Sequence, residues 1–513
     1  MKRKSISLML GLFMGALLLC GGQVLGASSS IVVAVDTPPR TMDPGGTLAD
    51  ATLSALSNFF DPLLERSGYE GELVPSLAER YERTDLHTWK FHLRKGVKFH
   101  NGNPFTAEDV KFSFERLKDP KCCSEYLDRG KAMESIEIVD DYTILVKTSS
   151  PLPNFDQRLP VQFIMDKEST ESRDPGEVSR RPIGTGAYKF VEWVEGSHIK
   201  MVANDDYWAG APRIRNVTLK PITESSTRFA ALASGEVELI SGVPVELLER
   251  MRKDPKIEII SRPSRRSIFL ALGNRPGAPT ADIRVRKAMY MAINEEEIVK
   301  LVMRGQAVPA AQVPTGDETG YYKDLERLPY NPEEAKRLLK EAGYSDGFEI
   351  TLAGPNDRYV QDEKIAEAVV KYLAKVGIKA KLDVKPKAAF FPEVVDGKHD
   401  FYLIGWLDTG YDFHYTFNSI GRTYDKEKGT GGWNGTRYSD PELDNLHETI
   451  KGIIDVEERT RAVEKLNKMA MEEKIFVIPL HYTVNNYAIR KGSGIQFIPR
   501  PDRWIVFKEL FKK

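Results

Sequence analysis

The sequence is short of cysteine and histidine, and neither sign of charge is in excess. It holds three cysteines and eight histidines among 513 residues, with 73 basic against 74 acidic side chains. This balance leaves no basic surface for nucleic acid or for an anionic membrane. No CxxC pair or second cysteine cluster occurs, so a zinc or redox site has little support. We therefore predict no cofactor, no metal site and no nucleic-acid partner.

The usual catalytic motifs are missing as well. The chain has no HExxH helix, no GxSxG elbow, no Walker A loop and no GxGxxG turn, and its histidines are scattered. A metallohydrolase is therefore unsupported. A secreted hydrolase is kept only as a remote alternative, and the sequence predicts that the protein is not an enzyme.

The only long apolar run lies at the amino terminus. Basic residues at positions 2–4 precede an apolar run over residues 6–19, and small residues follow. The run is shorter than the roughly 20 residues that a spanning helix needs. The pattern predicts a cleavable signal peptide over residues 1–27 and export to the periplasm, with a retained membrane anchor as the alternative.

The three cysteines leave two further questions open. Cys20 raises the alternative of lipid anchoring, but leucine stands immediately before it, where a lipobox needs a small residue. Once the signal peptide is removed, only the adjacent Cys122 and Cys123 remain, in a compartment that favours disulfides. They either form a vicinal disulfide or stay as two thiols.

The most informative stretch covers residues 88–117. Apolar and polar residues alternate over residues 88–99, interrupted at Gly96, which predicts two half-buried strands. Thr106 stands at an N-cap position, Asp109 follows in the first turn, and apolar residues continue at helical spacing. The sequence thus predicts a hairpin that leads into a capped helix.

The full length exceeds what one hydrophobic core can organise, so we expect two or three domains. From residue 282 onward, predicted strands and helices alternate, which favours a mostly parallel, helix-covered sheet and an α/β fold. Residues 267–272 and 478–482 form two apolar strands far apart in the sequence.

Six segments resemble the peptide- and nickel-binding family of bacterial extracellular solute-binding proteins, family 5. They occur in order along almost the whole mature chain and read RKGVKFHNGNPFTAEDVKFSFERL from residue 94, PIGTGAYKFVEW from 182, NDDYWAGAPRIRNVTLK from 204, DIRVRKAMYMAIN from 282, YNPEEAKRLLKEAGY from 330 and YSDPELDNL from 438. Members of this family are receptors of ABC importers.

The resemblance implies a two-lobed periplasmic-binding-protein clamshell, the large three-subdomain variant of type II, with interlobe crossings near residues 267–272 and 478–482. It implies a signal peptide over 1–27, lobe I over 28–60, an inserted subdomain over 61–181, a return to lobe I over 182–268, lobe II over 269–480 and a last part of lobe I over 481–513.

The function that the resemblance implies is binding of short peptides between the lobes, followed by delivery to an ABC permease. The resemblance is to dipeptide- and oligopeptide-binding members, and it implies a monomer. Other members bind a nickel chelate, haem, glutathione, an opine or an oligosaccharide, and a solute of that kind is the alternative.

Candidate ligand-binding residues follow the apolar strand at 401–404. Trp406 offers an aromatic platform, and Asp408 and Asp412 follow it where ligands sit in open α/β sheets. In peptide-binding relatives an aspartate in this segment holds the ligand's ammonium group. Asp412 is the first candidate and Asp408 the second, although the segment lacks the Asp-Pro-Asp of dipeptide binders. The alternative is two turn aspartates that cap a loop.

Arg358 is the candidate for binding a carboxylate, because its planar guanidinium fits one with two hydrogen bonds. The resemblance places such an arginine in this neighbourhood. Asp357 beside it could instead form an ion pair with it at the surface. Tyr359 and Trp433 are candidate stacking surfaces, with a place in the hydrophobic core as the alternative.

Overall fold

The structure is a computed structural model that describes residues 30–68, 71–408 and 410–512. The predicted signal peptide and Cys20 lie outside the described residues. Across those described ranges, no helix combines the length and the apolar character needed to cross a bilayer.

The strands of the described residues make one large mixed sheet, one four-stranded sheet and two short ladders. In chain order they are β1 Ser30–Val35, β2 Leu64–Ser67, β3 Glu72–Pro75, β4 Ala78–Arg83, β5 Thr88–Leu93, β6 Met133–Asp140, β7 Thr143–Thr148, β8 Tyr188–Val194, β9 His198–Ala203, β10 Asn216–Pro221, β11 Leu239–Ile240, β12 Ile257–Leu272, β13 Ala307–Pro309, β14 Glu349–Pro355, β15 Lys379–Lys385, β16 Phe401–Trp406, β17 Val477–Arg490, β18 Ile495–Gln496 and β19 Phe511–Lys512.

Helices cover both faces of the large sheet. They are α1 Asp50–Leu56, α2 Ala107–Arg116, α3 Leu127–Ala132, α4 Lys167–Glu171, α5 Pro175–Val178, α6 Ser225–Ser234, α7 Val245–Arg252, α8 Ile283–Ala292, α9 Glu295–Leu301, α10 Pro332–Glu341, α11 Asp362–Ala374, α12 Lys387–Val395, α13 Phe413–Ile420, α14 Pro441–Lys451 and α15 Val456–Lys468, with short 3₁₀ or π turns elsewhere.

Buried apolar side chains divide the molecule into two lobes. Two cores draw on residues 31–257 and 487–510, which we call lobe I. Two others draw on residues 268–480, which we call lobe II. This is the two-lobed α/β architecture that the sequence predicts.

Two long strands join the lobes. β12 and β17 pair antiparallel from Ile257 with Arg490 to Ala271 with Val477, with a register shift between Pro263 and Ser267. The predicted apolar strands are only the lobe II halves of these two strands. The lobe I half of β12 reads IISRPSRR, and its charged residues conceal the strand period in the sequence.

Within each lobe, the parallel strands end at the same edge of the sheet. In lobe I, β1 lies parallel to β10 and β11. In lobe II, β14 lies parallel to β15 and β16, while β16 joins β12 antiparallel. The sheet is therefore mixed rather than mostly parallel, because the two joining strands run against their neighbours.

The range predicted as an inserted subdomain carries a separate antiparallel sheet in the order β4-β5-β7-β6. Thr106 is the N-cap of α2, as predicted, and it forms a capping box with Asp109. The prediction of a second hairpin strand is wrong. Val97 and Phe99 are buried, but the segment forms only an isolated bridge between Lys98 and Pro104.

The cysteine question has an answer in the structure. The sulfurs of Cys122 and Cys123 are bonded, so the pair forms a vicinal disulfide. Cys123 is fully buried in the lobe I core. The bond lies in the range predicted as an inserted subdomain, next to the Arg116–Asp43 ion pair at 2.6 Å.

Candidate functional site

A cleft of about 760 Å³ lies between the lobes. Lobe I supplies the loops that follow β1 and β11 and the first residues of α1 and α7. Lobe II supplies the loop that follows β14 and the first residue of α12, and β12 and β17 pass along the cleft between them. The volume lies within the range of small-molecule sites.

Arg358 and Tyr359 line this cleft from lobe II, as the sequence leads us to expect for a ligand site. Their backbone N–H groups both donate to Oδ2 of buried Asp362 at 2.9 Å, which fixes the loop at the start of α11. The Tyr359 hydroxyl donates to the Gly405 carbonyl at 3.0 Å. Asp357 does not pair with Arg358, because its carboxylate accepts the Lys387 backbone N–H at 2.6 Å.

A second arginine faces the same tyrosine ring. The Cζ atoms of Arg358 and Arg266 lie 5.4 and 5.9 Å from the Tyr359 ring centroid. Arg266 comes from β12 and has a side chain only 12% exposed, 3.9 Å from Asp50. Burial, and then the positive charge of Arg358, lower the pKa of Arg266 to about 10. Two cations therefore repel each other across one ring, which an anion between them would relieve.

Asp408 and Asp412 lie elsewhere, outside the residues that line the cleft. Asp408 accepts the N–H groups of Gly410 and Asp412 at 2.8 and 2.7 Å. Asp412 is fully buried, caps α13 by accepting the His414 N–H at 2.8 Å, and forms a 2.6 Å ion pair with Arg459. Both carboxylates are satisfied within lobe II.

Between these aspartates, Tyr411 forms a contact that reaches from lobe II to lobe I. Its ring centroid lies 3.1 Å from Cζ of Arg265 and 3.5 Å from Cζ of Arg66, which belongs to lobe I. Arg265 also pairs with Asp317 and Glu318 at 3.1 and 3.0 Å. The loop that follows β16 thus packs against the other lobe and does not line the cleft.

Trp406 and Trp433 contact each other but do not line the cleft either. Their ring centroids are 6.2 Å apart, and the Trp406 indole N–H donates to the Thr416 hydroxyl at 3.2 Å. Trp433 also meets Phe391 edge-on and is 36% exposed.

Among the described residues, no three histidine, cysteine or acidic side chains converge as metal ligands. His414, which follows Asp412, stacks on His447 with ring centroids 3.8 Å apart. Each ring nitrogen Nε2 of this pair contacts the backbone carbonyl of the other residue, at 2.9 and 3.1 Å. The pair is buried, and its contacts are those of packed side chains in a core.

Comparison with known proteins assigns the fold to a family. The family model described as bacterial extracellular solute-binding proteins, family 5, matches residues 72–428, well over half of the chain. The chain belongs to this family. The resemblance seen in the sequence and the two-lobed fold are thereby confirmed.

The names of individual relatives refer to different solutes. The chain is 28% identical to Heme-binding protein A of Haemophilus influenzae over 470 residues, covering 85% of this chain and 84% of that protein. It is 28% identical to the dipeptide-binding protein of Escherichia coli over 513 residues, covering 94% of each.

A solved relative has the same architecture. The periplasmic binding protein DppA of Helicobacter pylori, which is associated with an ABC transporter and was solved with the peptide STSA, superposes with a TM-score of 0.74 at 27% identity. The match covers 94% of this chain and 98% of that one. This chain is therefore similar to family 5 receptors over nearly all of its described length.

The sequence reading missed the lobe I wall of the cleft. Arg40, Asp50 and Arg503 line it, but none was a candidate. The rule that selected the loop after β16 applies equally to β1, whose carboxyl end leads into the loop with Arg40. That signal was available for Arg40, whereas nothing local marks Arg503 near the carboxyl terminus.

Proposed function

We propose that this family 5 protein is an extracytoplasmic receptor of an ABC importer that binds short peptides in the interlobe cleft and delivers them to a membrane permease. The observation that carries the proposal is a peptide-sized cleft with a guanidinium pair beside a tyrosine ring. Two long strands join the lobes, an arrangement suited to hinge closure around a ligand.

Arg358 is the proposed partner of the peptide's carboxylate, with Arg266 beside it and Tyr359 as the surface that packs against the peptide. A buried carboxylate needs such partners, because the effective cost of desolvating a charge is several kcal/mol. Closure is then favoured only when a ligand supplies the missing counter-charge.

The peptide's ammonium group needs a carboxylate partner. The sequence favours Asp412 and then Asp408, but Asp412 would first have to leave Arg459. Asp50 lines the cleft, and its 3.9 Å contact with Arg266 is longer than the 2.6 Å ion pair between Asp412 and Arg459, so Asp50 is our preferred partner. In this arrangement Trp406 and Trp433 do not contact the ligand.

The remaining parts of the proposal rest on the sequence. A cleavable signal peptide over residues 1–27 and release into the periplasm agree with the solved relative, which is called a periplasmic binding protein. We also propose a monomer without cofactor or catalytic activity. The alternative is the same transport role for another solute, for which the relative named Heme-binding protein A is the precedent.

Native mass spectrometry of the mature protein, purified without denaturation, tests the proposal. A ladder of extra masses that match short peptides and disappear on unfolding is the expected result. One defined non-peptide mass, or a nickel isotope pattern, would keep the receptor but overturn the peptide ligand. Steady release of cleaved peptide products would overturn the receptor function itself.

A further inference from the structure

The cleft has more positive than negative side chains. Five cationic residues line it, namely Arg40, Arg266, Arg358, Lys387 and Arg503. Three acidic residues line it, namely Asp36, Asp50 and Glu246. The chain as a whole is nearly neutral, so this local excess of positive charge belongs to the cleft and not to the composition.

All three acidic side chains already have partners in the structure. Asp36 lies 3.7 Å from Arg503, and Asp50 lies 3.9 Å from Arg266. Glu246 accepts a hydrogen bond from the Gln361 side chain, which comes from the other lobe. Beyond the one carboxylate that the peptide's ammonium group takes, the cleft therefore has little negative charge to spare for a further cation.

Two arginines, one in each lobe, have no carboxylate partner anywhere in the described ranges. Arg358 contacts only the Tyr359 ring through its guanidinium, and Arg40 uses its backbone N–H to bond the Thr52 hydroxyl at 3.0 Å. Both side chains are exposed to the cleft. The chain thus presents one free guanidinium from each wall.

The starts of two helices add to the positive charge in the cleft. Val245 and Glu246 at the start of α7, and Lys387 at the start of α12, line the cleft. A helix start carries a partial positive charge from its unpaired N–H groups. These ends reinforce the arginines, although they would not define a site alone.

Resting on the peptide-receptor function above, we propose that the cleft selects acidic peptides, which carry a side-chain carboxylate besides the terminal one. Arg358, with Arg266 beside it, binds one carboxylate from lobe II and the joining strand. Arg40 binds the other from lobe I. A ligand with two carboxylates then bridges the lobes, whereas a peptide with a lysine side chain adds a like charge to the cleft.

Calorimetric titration with matched peptides tests the selectivity. Ala-Glu-Ala, Ala-Gln-Ala and Ala-Lys-Ala differ in one side chain, and dipeptide and tetrapeptide versions of the set cover the unknown length. A charge-assisted hydrogen bond contributes about 1.5–3 kcal/mol. We therefore expect the glutamate peptide to bind roughly 10- to 100-fold more tightly than its glutamine isostere, and the lysine peptide most weakly.

Arg40→Gln identifies the bridging residue. It is expected to remove most of the Glu-over-Gln preference, measured as the ratio of the two affinities in the variant against the same ratio in the unmodified protein. Arg180→Gln is the matched control, because Arg180 lies in lobe I with a side chain 63% exposed and does not line the cleft. This control should keep the full preference.

The outcomes separate the two proposals. If neutral or basic peptides bind as tightly as acidic ones, or if Arg40→Gln keeps the preference, the acidic selectivity is overturned and the peptide receptor stands. If no peptide of any charge or length binds to folded protein, the proposed function fails, and this inference fails with it.

Discussion

Two loops of lobe II leave neighbouring parallel strands, and their charged residues have opposite surroundings. The loop that follows β16 holds Asp408 and Asp412, which are buried and satisfied by nearby N–H groups and by Arg459. The loop that follows β14 holds Arg358, which faces the cleft without a carboxylate partner among the described residues. A charge with partners inside the fold stabilises the fold, whereas a charge that faces a void is available to a ligand.

The largest expected effect comes from breaking the buried ion pair. Asp412→Asn leaves Arg459 charged and only 9% exposed, and the removal of one buried partner typically costs about 3–5 kcal/mol of unfolding free energy. Urea denaturation measures this loss. Arg461→Gln, two residues along the same helix with a side chain 67% exposed, is the control and should be nearly neutral.

One outcome of the Asp412→Asn experiment would contradict the assignment of Asp412 to the fold. If Asp412→Asn keeps its stability but loses peptide binding, Asp412 binds the ligand's ammonium group and the comparison between the two loops fails.

Arg358→Gln is the opposite test. Because Arg358 is exposed, its replacement should change the unfolding free energy by no more than about 0.5 kcal/mol. Peptide affinity measured by calorimetry should fall by about 1.5–3 kcal/mol. Arg461→Gln again serves as the control, with affinity unchanged; equal affinity in Arg358→Gln would remove this residue from the site.

Mild acid should destabilise the protein through His414, the second residue of α13. Burial lowers the pKa of His414 to about 4, so the unfolded chain takes up the proton first as the pH falls below about 6.5. The stability that neutral His414 contributes is therefore present above about pH 6.5 and lost between about pH 6.5 and 4.

At pH 5 this loss amounts to about 2 kcal/mol, and thermal unfolding at pH 7.5 and 5 measures it. The groups around His414 are Asp412, Arg459, His447 and Lys451. His414→Gln should lose less stability over the same interval than the unmodified protein. An identical pH dependence in the two proteins would contradict the role of His414.

The smallest effect is expected from removing a negative charge in the cleft. Glu246→Gln should raise the affinity for Ala-Glu-Ala by a few-fold, since exposed charge interactions contribute about 0.2–1 kcal/mol. Glu249→Gln, in the same helix but outside the cleft lining, is the control. A fall in affinity would instead indicate that Glu246 binds the ammonium group.

Local signals in the sequence were enough to predict elements whose stabilising contacts are close along the chain. The N-cap of α2 at Thr106, with Asp109 in the first turn, is an example. The prediction of a second hairpin strand at Val97 and Phe99 was wrong. The two side chains are spaced like those of a strand because both are buried, but their backbone groups do not bond to a neighbouring strand. Phe99 donates to Asn103 and His100 to Gly184, which no periodicity encodes.

The candidate site was predictable only in part, for the same reason. Arg358, which the family resemblance selected, and its neighbour Tyr359 line the cleft. Strand ends locate the side of the sheet where ligands sit, but they led to Trp406, Asp408 and Asp412, none of which lines the cleft. They could not disclose that Asp412 pairs with Arg459, because that contact joins distant parts of the chain. Arg266 was hidden in a charged stretch of β12 that does not look like a strand.

A crystal structure of the protein with its tightest-binding peptide tests the central claim most directly. The account predicts the ligand between Arg358 and Arg266 on one side and Arg40 on the other, with the Asp412–Arg459 ion pair intact. A ligand ammonium group bound to Asp412, with Arg459 displaced, would contradict it.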